Sequence, residues 1–379
     1  MSSSFSRPVV ICDFKRSPMH FAGKGALAGV RPDDLAALVI KSLVHASGVA
    51  PEDIEDLLMG CAFPEAEQGF NIARLVGGHA GLPLSVAGVT LNRFCGSSMT
   101  ALHMAAGAIQ MNAGDAFIAA GVESMSRIPM GGFNPMPNPA IYQTTPAAYM
   151  SMGETAENLA RKYNIPREEQ DAFAVASHTK AARAAAQGLF AAEIVPVGDI
   201  STDGTIRPDS SMETLATLKP AFLTTGTVTA GTASPLTDGS AAVLVCAEDY
   251  ADAKALPKLA RIRAVAVAGC APDIMGIGPV PATHKALKRA GLTVQDIDIW
   301  ELNEAFAAQS LAVIRELGMD PAKVNLDGGA IALGHPLGTS GARITGKAAS
   351  LLKREKGRYA VATMCIGGGQ GVATVLEAL

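Results

Sequence analysis

Large rings and long apolar runs are scarce in this sequence. Only 5% of residues are aromatic, with a single Trp, so rings cannot dominate the core. The apolar share, 49% of the chain, is mostly Ala, Val, Leu and Ile. Such residues suit close packing of helices on sheets. No apolar stretch approaches the roughly 20 residues of a membrane-spanning helix, so a membrane protein is not expected. Charge of one sign is scarce too. The net charge is −4, and no block rich in Lys and Arg stands out. A nucleic-acid partner is therefore not expected, although a local basic patch for a phosphorylated ligand is compatible with this balance.

Cys12, Cys61, Cys95, Cys246, Cys270 and Cys365 lie far apart, with no C-x-x-C pair and no zinc-ligand spacing. A chain of 379 residues needs no disulfides to fold. Free thiols in a reducing, cytoplasmic compartment are the expectation. Cys12, Cys61, Cys246 and Cys270 read as small buried hydrophobes. The opening M-S-S-S-F-S-R lacks the basic-then-apolar layout of a signal peptide. It reads as a ragged end before a first strand.

What is present is repeated order. The length allows two ordinary domains or one large composite one. Apolar runs rich in Val, Ile and Ala alternate with helical patterns, as in α/β layering. Strands are expected at 9–12, 54–60, 86–92 and 116–120, and helices at 31–47 and 98–112. Pro32 in the first turn and Gly48 past the last bound the first helix. The plan then returns, with strands at 260–268, 297–302, 323–327 and 359–364. A helix at 284–290 ends at Gly291, and a turn plus helix covers 338–353.

Gly48, Asp53, Ile54, Ala62 and Phe63 match Gly291, Asp296, Ile297, Ala305 and Phe306 at one constant offset. Gly96-Ser97-Ser98 likewise matches Gly338-Thr339-Ser340. One unit is used twice. The second strand-to-helix turn is longer, and its added residues include His335. An insertion at such a turn is where a site would be built. Between the halves, at about 121–234, lies a stretch of different character. It opens I-P-M-G-G-F-N-P-M-P-N-P and continues with two helices. One covers 153–163; the other starts near 164–166, carries Glu168 and Glu169 in its first turn, and ends at Gly188. This is an inserted lobe, or equally a plain packing or oligomerisation element.

Three residues stand where chemistry is easily built. Cys95 falls where a strand turns through Gly96 into a helix. The helix dipole and free N–H groups there are expected to lower its pKa from about 8.5 and to hold an oxyanion. A buried Cys in a tight turn is the bland alternative. His335 sits in a Gly-rich turn before a helix and is restrained by Pro336. It is either a base for a nearby thiol or a surface-turn His. Cys365 follows a strand and opens C-I-G-G-G-Q-G, a run that frees N–H groups for a ligand or acts as a hinge. The equivalent strand end, Gly121, is expected to face the same pocket. Asn303-Glu304-Ala305-Phe306 exits another strand, where polar residues commonly line a cleft. Two thiols and one imidazole suit a covalent acyl step together with proton transfer at carbon.

The blocks N-R-F-C-G-S-S, N-E-A-F-A-A-Q, G-G-A-I-A-L-G-H-P-L-G-T-S-G-A-R and C-I-G-G-G-Q-G resemble the signature motifs of thiolases. They stand in the family's order, and the likeness runs from about Val9 to the C-terminus. It implies the thiolase fold: two βαβαβαββ halves in a five-layered α-β-α-β-α core, with an inserted loop domain. Residues 1–250, including the lobe at 121–234, would form the N-terminal region and 257–379 the C-terminal region. By resemblance, Cys95 is the acylated nucleophile, His335 activates it, and Cys365 moves the proton at the acetyl α-carbon. The N–H groups of Cys95 and Gly367 form one oxyanion hole. His335 and a water held by Asn303 form the other. Coenzyme A is the co-substrate, with no permanently bound cofactor or metal. Its contacts carry over to Met152, Arg207, Phe222, Ala230 and Ser234, with Phe306 near the pantetheine and Arg207 near the adenine and phosphate end.

Two departures bear on the subclass. Ser151 replaces the His that precedes Met-Gly in biosynthetic acetoacetyl-CoA thiolases. Thr232 and Pro235 replace the Asn and Gly of many relatives. The first departure, with C-G-S-S-M and D-I-M-G-I-G-P-V-P-A, favours a degradative 3-ketoacyl-CoA thiolase of fatty-acid β-oxidation. The alternatives are an acetyl-CoA acetyltransferase and an inactive acyl-CoA-binding relative. Decarboxylating condensing enzymes usually lack the second Cys, and a cysteine hydrolase needs water rather than a thiol acceptor. A homodimer or homotetramer is implied, with a β-oxidation multienzyme partner as an open option.

Overall fold

Residues 7–379 are described in a computed structural model; the ragged start expected before Arg7 lies outside the described residues. The first half runs β1 (Val9–Arg16), a short β2 (His20–Phe21), α1 (Pro32–Ser47), β3 (Ile54–Gly60), α2 (Ile72–His79), β4 (Ala87–Leu91), α3 (Ser97–Gln110) and β5 (Ala116–Ser124). The lobe follows with α4 (Pro139–Thr144), α5 (Met152–Lys162), α6 (Arg167–Ala186) and α7 (Met212–Ala216). The chain returns through β6 (Thr237–Ala247) and α8 (Glu248–Ala253). The second half is β7 (Ala260–Gly269), α9 (Pro279–Ala290), β8 (Ile299–Leu302), α10 (Ala307–Leu317), α11 (Ala330–Leu333), α12 (Ser340–Glu355), β9 (Tyr359–Ile366) and β10 (Gln370–Glu377).

The repeat is visible in backbone conformation. Gly48 ends α1 at φ 73 and Gly291 ends α9 at φ 72. Both are left-handed caps that a side chain would strain. A single 3-10 turn follows each, at Pro51–Asp53 and Val294–Asp296.

Strand order extends the symmetry. It reads β4-β3-β5-β6-β1-β7-β10-β9-β8. In one half β3 runs parallel to β5, and β6 runs antiparallel to both β5 and β1. In the other, β8 runs parallel to β9, and β10 runs antiparallel to both β9 and β7. The order mirrors itself about the β1–β7 edge, where Val10 pairs with Arg261 and Ile11 with Ala260. The two half-sheets are thus joined along one edge. They close over α3 and α12, which pack on each other and on strands of both halves. α1 and α2 cover the outer face of the first half. α9 and α10 cover the second, around Trp300 and Leu302. This is the five-layered α-β-α-β-α arrangement.

Some expectations change. The strand expected at 323–327 does not form. A single bridge joins Val324 to Trp300, and Asn325 then turns at φ 48. The Asn325 side chain replaces the ladder: its Oδ1 accepts from Leu302 N–H at 2.9 Å and its Nδ2 donates to Leu302 O at 2.8 Å. The helix expected at 284–290 starts earlier, at Pro279. β5 continues past Gly121 to Ser124, so the lobe begins later than expected. α2, β6, α10 and β10 were not anticipated. β6 and β10 are mostly buried central strands that open on small or polar residues, T-D-G-S and Q-G. Cys12, Cys61 and Cys246 are buried as expected, whereas Cys270 is only half-buried, just past the end of β7.

Candidate active site

The chain leaves β4 and reaches α3 through a tight turn at 92–96. Asn92 Oδ1 accepts from Phe94 N–H at 2.7 Å. Ser97 Oγ accepts from Arg93 N–H at 2.9 Å and donates to Phe94 O at 2.6 Å. These bonds hold Phe94 at φ 43, a conformation that bulky residues rarely adopt. Gly96 follows, and a Cβ there would meet Ile366 Cδ1 at 2.5 Å, so any larger residue would have to displace the Ile366 side chain. Cys95 is buried in this turn, with the Gly367 N–H directed at its thiol.

The expectation of a ready thiolate fails. Cys95 precedes the cap residue Gly96 and lies out of water. Burial pushes its pKa up to about 11, against the pull of the Gly367 N–H and its own N–H. The resting group is a thiol and needs a base.

His335 lies in the loop between α11 and α12 and is buried, not a surface-turn residue. Its N–H donates to Thr237 Oγ1 at 3.2 Å. Its Nδ1 lies 2.5 Å from Ser340 Oγ, which donates to Pro336 O at 3.0 Å. The hydroxyl proton is thus engaged, so Ser340 accepts from Nδ1–H. Nε2 is then the acceptor, and Asn303 Nδ2 donates to it at 3.4 Å. Burial, then the Arg343 charge, push the imidazole down to about 3. His335 is a neutral base, as removing a proton from a thiol requires.

Cys365 lies inside β9, opposite Gly371, rather than after the strand. Burial, then neighbouring Cys95, hold its pKa well above the ordinary thiol value. It too rests protonated and can act as an acid. Gly368 and Gly369, at φ 81 and 91, then turn the chain back into β10.

Two carboxylates hold these turns together: Glu123, which sequence reasoning missed, and Glu304, which it placed only among the polar residues of a strand exit. Glu123 on β5 accepts from the N–H groups of Ala62 at 2.8 Å, Phe63 at 3.3 Å and Gly338 at 2.8 Å, and from Gln68 Nε2 at 2.9 Å. Glu304 accepts from Ser177 Oγ at 2.6 Å, Asn325 Nδ2 at 2.7 Å and Ile331 N–H at 3.2 Å. It ties the lobe to the loop that carries His335. Buried Glu is rare unless partnered, so nothing local to either residue announces a buried anchor. The available signals were the N-E pair at a strand exit and a Glu ending an otherwise apolar strand. The first turns of α3 and α12 also touch: Ala342 N–H donates to Ser98 Oγ at 2.8 Å. Gly121 packs on Gly338, whose O would lie 2.2 Å from a Cβ.

The residues carried over as coenzyme A contacts fall into two groups. Met152 opens α5 behind a capping box of Ser151 and Glu154. Its sulfur would lie 3.4 Å from a Cβ on Gly367. Phe306 packs with Cys365 and Ala233, and meets Phe222 edge-on at 5.7 Å. Ser234 N–H donates to Ala305 O at 2.9 Å. Arg207 and Ala230 instead line a narrow cleft with Phe21 and His178, and the guanidinium lies 5.1 Å over the Phe21 ring. Ala233 belongs to both groups, so they are adjacent.

Family models agree with this geometry. The thiolase N-terminal domain matches residues 9–249, and the thiolase C-terminal domain matches residues 256–378. The chain belongs to the thiolase family. As a thiolase it is an acyltransferase. It is 49% identical to a 3-ketoacyl-CoA thiolase of Bacillus subtilis, over 98% of this chain and 99% of that protein. A 3-ketoacyl-CoA thiolase of Aeromonas hydrophila is 50% identical, with 98% and 99% covered. The human mitochondrial 3-ketoacyl-CoA thiolase structure superposes with a TM-score of 0.92 at 38% identity, covering 99% of this chain and 100% of that one. A Bacillus anthracis acetyl-CoA acetyltransferase gives 0.90 at 41% identity, covering 98% and 99%. Both thiolase names thus occur among close structural neighbours. Among the described residues, no helix of this thiolase is long and apolar enough to cross a membrane.

Proposed function

We propose that this thiolase cleaves 3-ketoacyl-CoA with coenzyme A, releasing acetyl-CoA and a shortened acyl-CoA in fatty-acid β-oxidation. The observation that carries the reading is the protonation pattern: two buried thiols at rest, Cys95 and Cys365, that bear on each other, and one buried neutral imidazole whose Nε2 accepts from Asn303. Cys95 attacks the 3-keto carbon as its proton passes to His335. The C2–C3 bond breaks, its electron pair leaves on the acetyl-CoA enolate, and Cys365 protonates C2. Incoming coenzyme A gives its thiol proton to the Cys365 thiolate and attacks the acyl group. Cys95 leaves and recovers its proton from His335. No proton is gained or lost over the cycle.

The N–H groups of Cys95 and Gly367 serve as one oxyanion hole, a role supported by the direction of the Gly367 N–H. His335 and a water on Asn303 serve as the other. The buried Asn303 Oδ1, which has no protein partner, supports a water there. Met152, Phe222, Ser234 and Phe306 hold the pantetheine, and Arg207 and Ala230 the nucleotide end. Coenzyme A acts as co-substrate, and no permanent cofactor is needed. We further read 1–250 and 257–379 as the two regions of a homodimer or homotetramer. Free thiols at all six cysteines fit the cytoplasm.

The test is thiolysis across a series from acetoacetyl-CoA to 3-ketohexadecanoyl-CoA. Turnover of the longer substrates is expected. Activity confined to acetoacetyl-CoA would make the protein an acetyl-CoA acetyltransferase, and no cleavage of any member would refute the reading. Replacing Cys95 or Cys365 by Ser is expected to remove orders of magnitude in rate, since the two act as one unit.

A further inference from the structure

Polar side chains on and just before α12 pair with neighbouring segments in successive rungs, the first two towards β8. The first rung is His335, held between Ser340 on α12 and Asn303 just past β8. The second is Arg343, one turn along α12, and Glu301, two residues before Asn303 and on the same face of the strand. Their closest approach, Nη1 to Oε2, is 3.7 Å, too long for a hydrogen bond. The third rung is Lys347, another turn along, with Asp327 at 2.7 Å and Glu193 at 3.0 Å.

The second rung is unusual. Among the described residues, both oxygens of Glu301, and Nε and Nη2 of Arg343, have no hydrogen-bond partner although both side chains are buried. Burying two charges in so loose a pair contributes little to stability, because desolvation outweighs the attraction. A costly arrangement directly behind the catalytic base has a better explanation in function. Burial raises the Glu301 pKa to about 8, so near neutrality its carboxyl keeps a proton and leaves the Arg343 charge uncancelled. The other charges that face the pair are Arg16 on β1, Lys180 on α6, Glu193 in the lobe, Glu304 after β8, Asp327 before α11 and Lys347 on α12. Arg343 is the charge that bears on His335.

We propose that the buried Arg343–Glu301 pair is a positioning device that adds to burial in keeping His335 an uncharged base, able to take the Cys95 proton at Nε2. Arg343 supplies a positive potential behind the imidazole. Glu301, carrying its proton, fills the space beside Arg343 without neutralising it. The inference rests on the base role given to His335 above.

The experiment compares wild type with Arg343→Met, Arg343→Lys and Glu301→Gln. One readout is the pH profile of kcat/KM for thiolysis. A second, independent of activity, is the titration of His335 by NMR of histidine-labelled protein, with the signal identified from a His335→Ala sample. Wild type and Arg343→Lys are expected to keep His335 neutral down to about pH 5, well below the ordinary His pKa. In Arg343→Met the titration moves up yet stays below the range of an ordinary His, because burial, the larger cause, remains, and the fall of kcat/KM on acidification begins at a higher pH than in wild type. Glu301→Gln keeps the wild-type acid limb. If Arg343→Met does not fold, the Arg343→Met/Glu301→Gln double variant removes both members and is expected to show the same shift. An unmoved His335 titration in the Met variants overturns the proposal, even where kcat falls. Absent thiolysis in wild type would instead overturn the function, while the NMR titration still decides this inference.

Discussion

Replacing Glu304 with Ala removes the carboxylate that joins the lobe, the Asn325 turn and the His335 loop. The magnitude follows from its three donors: Ser177 Oγ at 2.6 Å, Asn325 Nδ2 at 2.7 Å and Ile331 N–H at 3.2 Å. A buried donor left without a partner costs about 1–3 kcal/mol. Asn325 Nδ2 keeps its bond to Leu302 O at 2.8 Å, and the Ser177 hydroxyl can rotate. The lower part of the range therefore applies, about 3–5 kcal/mol in all. That is a large share of the roughly 5–15 kcal/mol that keeps a typical protein folded.

Urea unfolding gives the assay. Trp300 is the single Trp and lies on β8, shortly before Glu304, so its fluorescence reports this region. The midpoint should drop at unchanged slope. Thiolysis should weaken in both kcat and KM, because the His335 loop and the lobe lose a common anchor. Glu304→Gln should lose less, since its amide oxygen still accepts. An Ala variant within about 1 kcal/mol of wild type would refute the claim that this carboxylate holds the site together.

Gly153→Ala would place a Cβ 2.0 Å from the Phe222 ring, so the ring must leave its edge contact with Phe306. Such a contact is worth about 0.5–1.5 kcal/mol, which predicts a KM for coenzyme A raised roughly 2- to 10-fold; an unchanged KM would separate Phe222 from the ligand. The Cys95 thiol should ionise near its buried value of about 11 rather than near 8.5, followed by ultraviolet thiolate absorbance in a Cys365→Ser protein. A transition near 8.5 would mean that the helix start outweighs burial. Glu301 has a folded pKa raised to about 8 against about 4.3 unfolded, so wild type loses stability as pH rises through that window. Glu301→Gln has no such loss, and thermal melts at about pH 9 should favour it by a few kcal/mol; equal melts at that pH would count against a buried, protonated Glu301.

Much of this thiolase was legible before any coordinates, wherever the cause is local. Pro32, Gly48 and Gly291 mark helix ends because φ is a property of the residue itself. The strand at Ile54–Gly60 appears where its apolar run predicts. The matched residues around Gly48 and Gly291 disclosed the duplication, and the motif blocks singled out Cys95, His335 and Cys365. The expected strand at 323–327 failed because a side chain, that of Asn325, made the bonds that the backbone was expected to make. β6 and β10 hid behind small and polar openings.

By itself the sequence determined which groups can react and how the chain is punctuated. The tertiary structure alone decided their states: Cys95 and Cys365 as thiols, His335 as a neutral base with its proton on Nδ1, Glu123 and Glu304 as buried anchors. The reason is physical. Proton affinity and hydrogen-bond partnership depend on what covers a residue, and here the covering comes from distant segments brought together by folding.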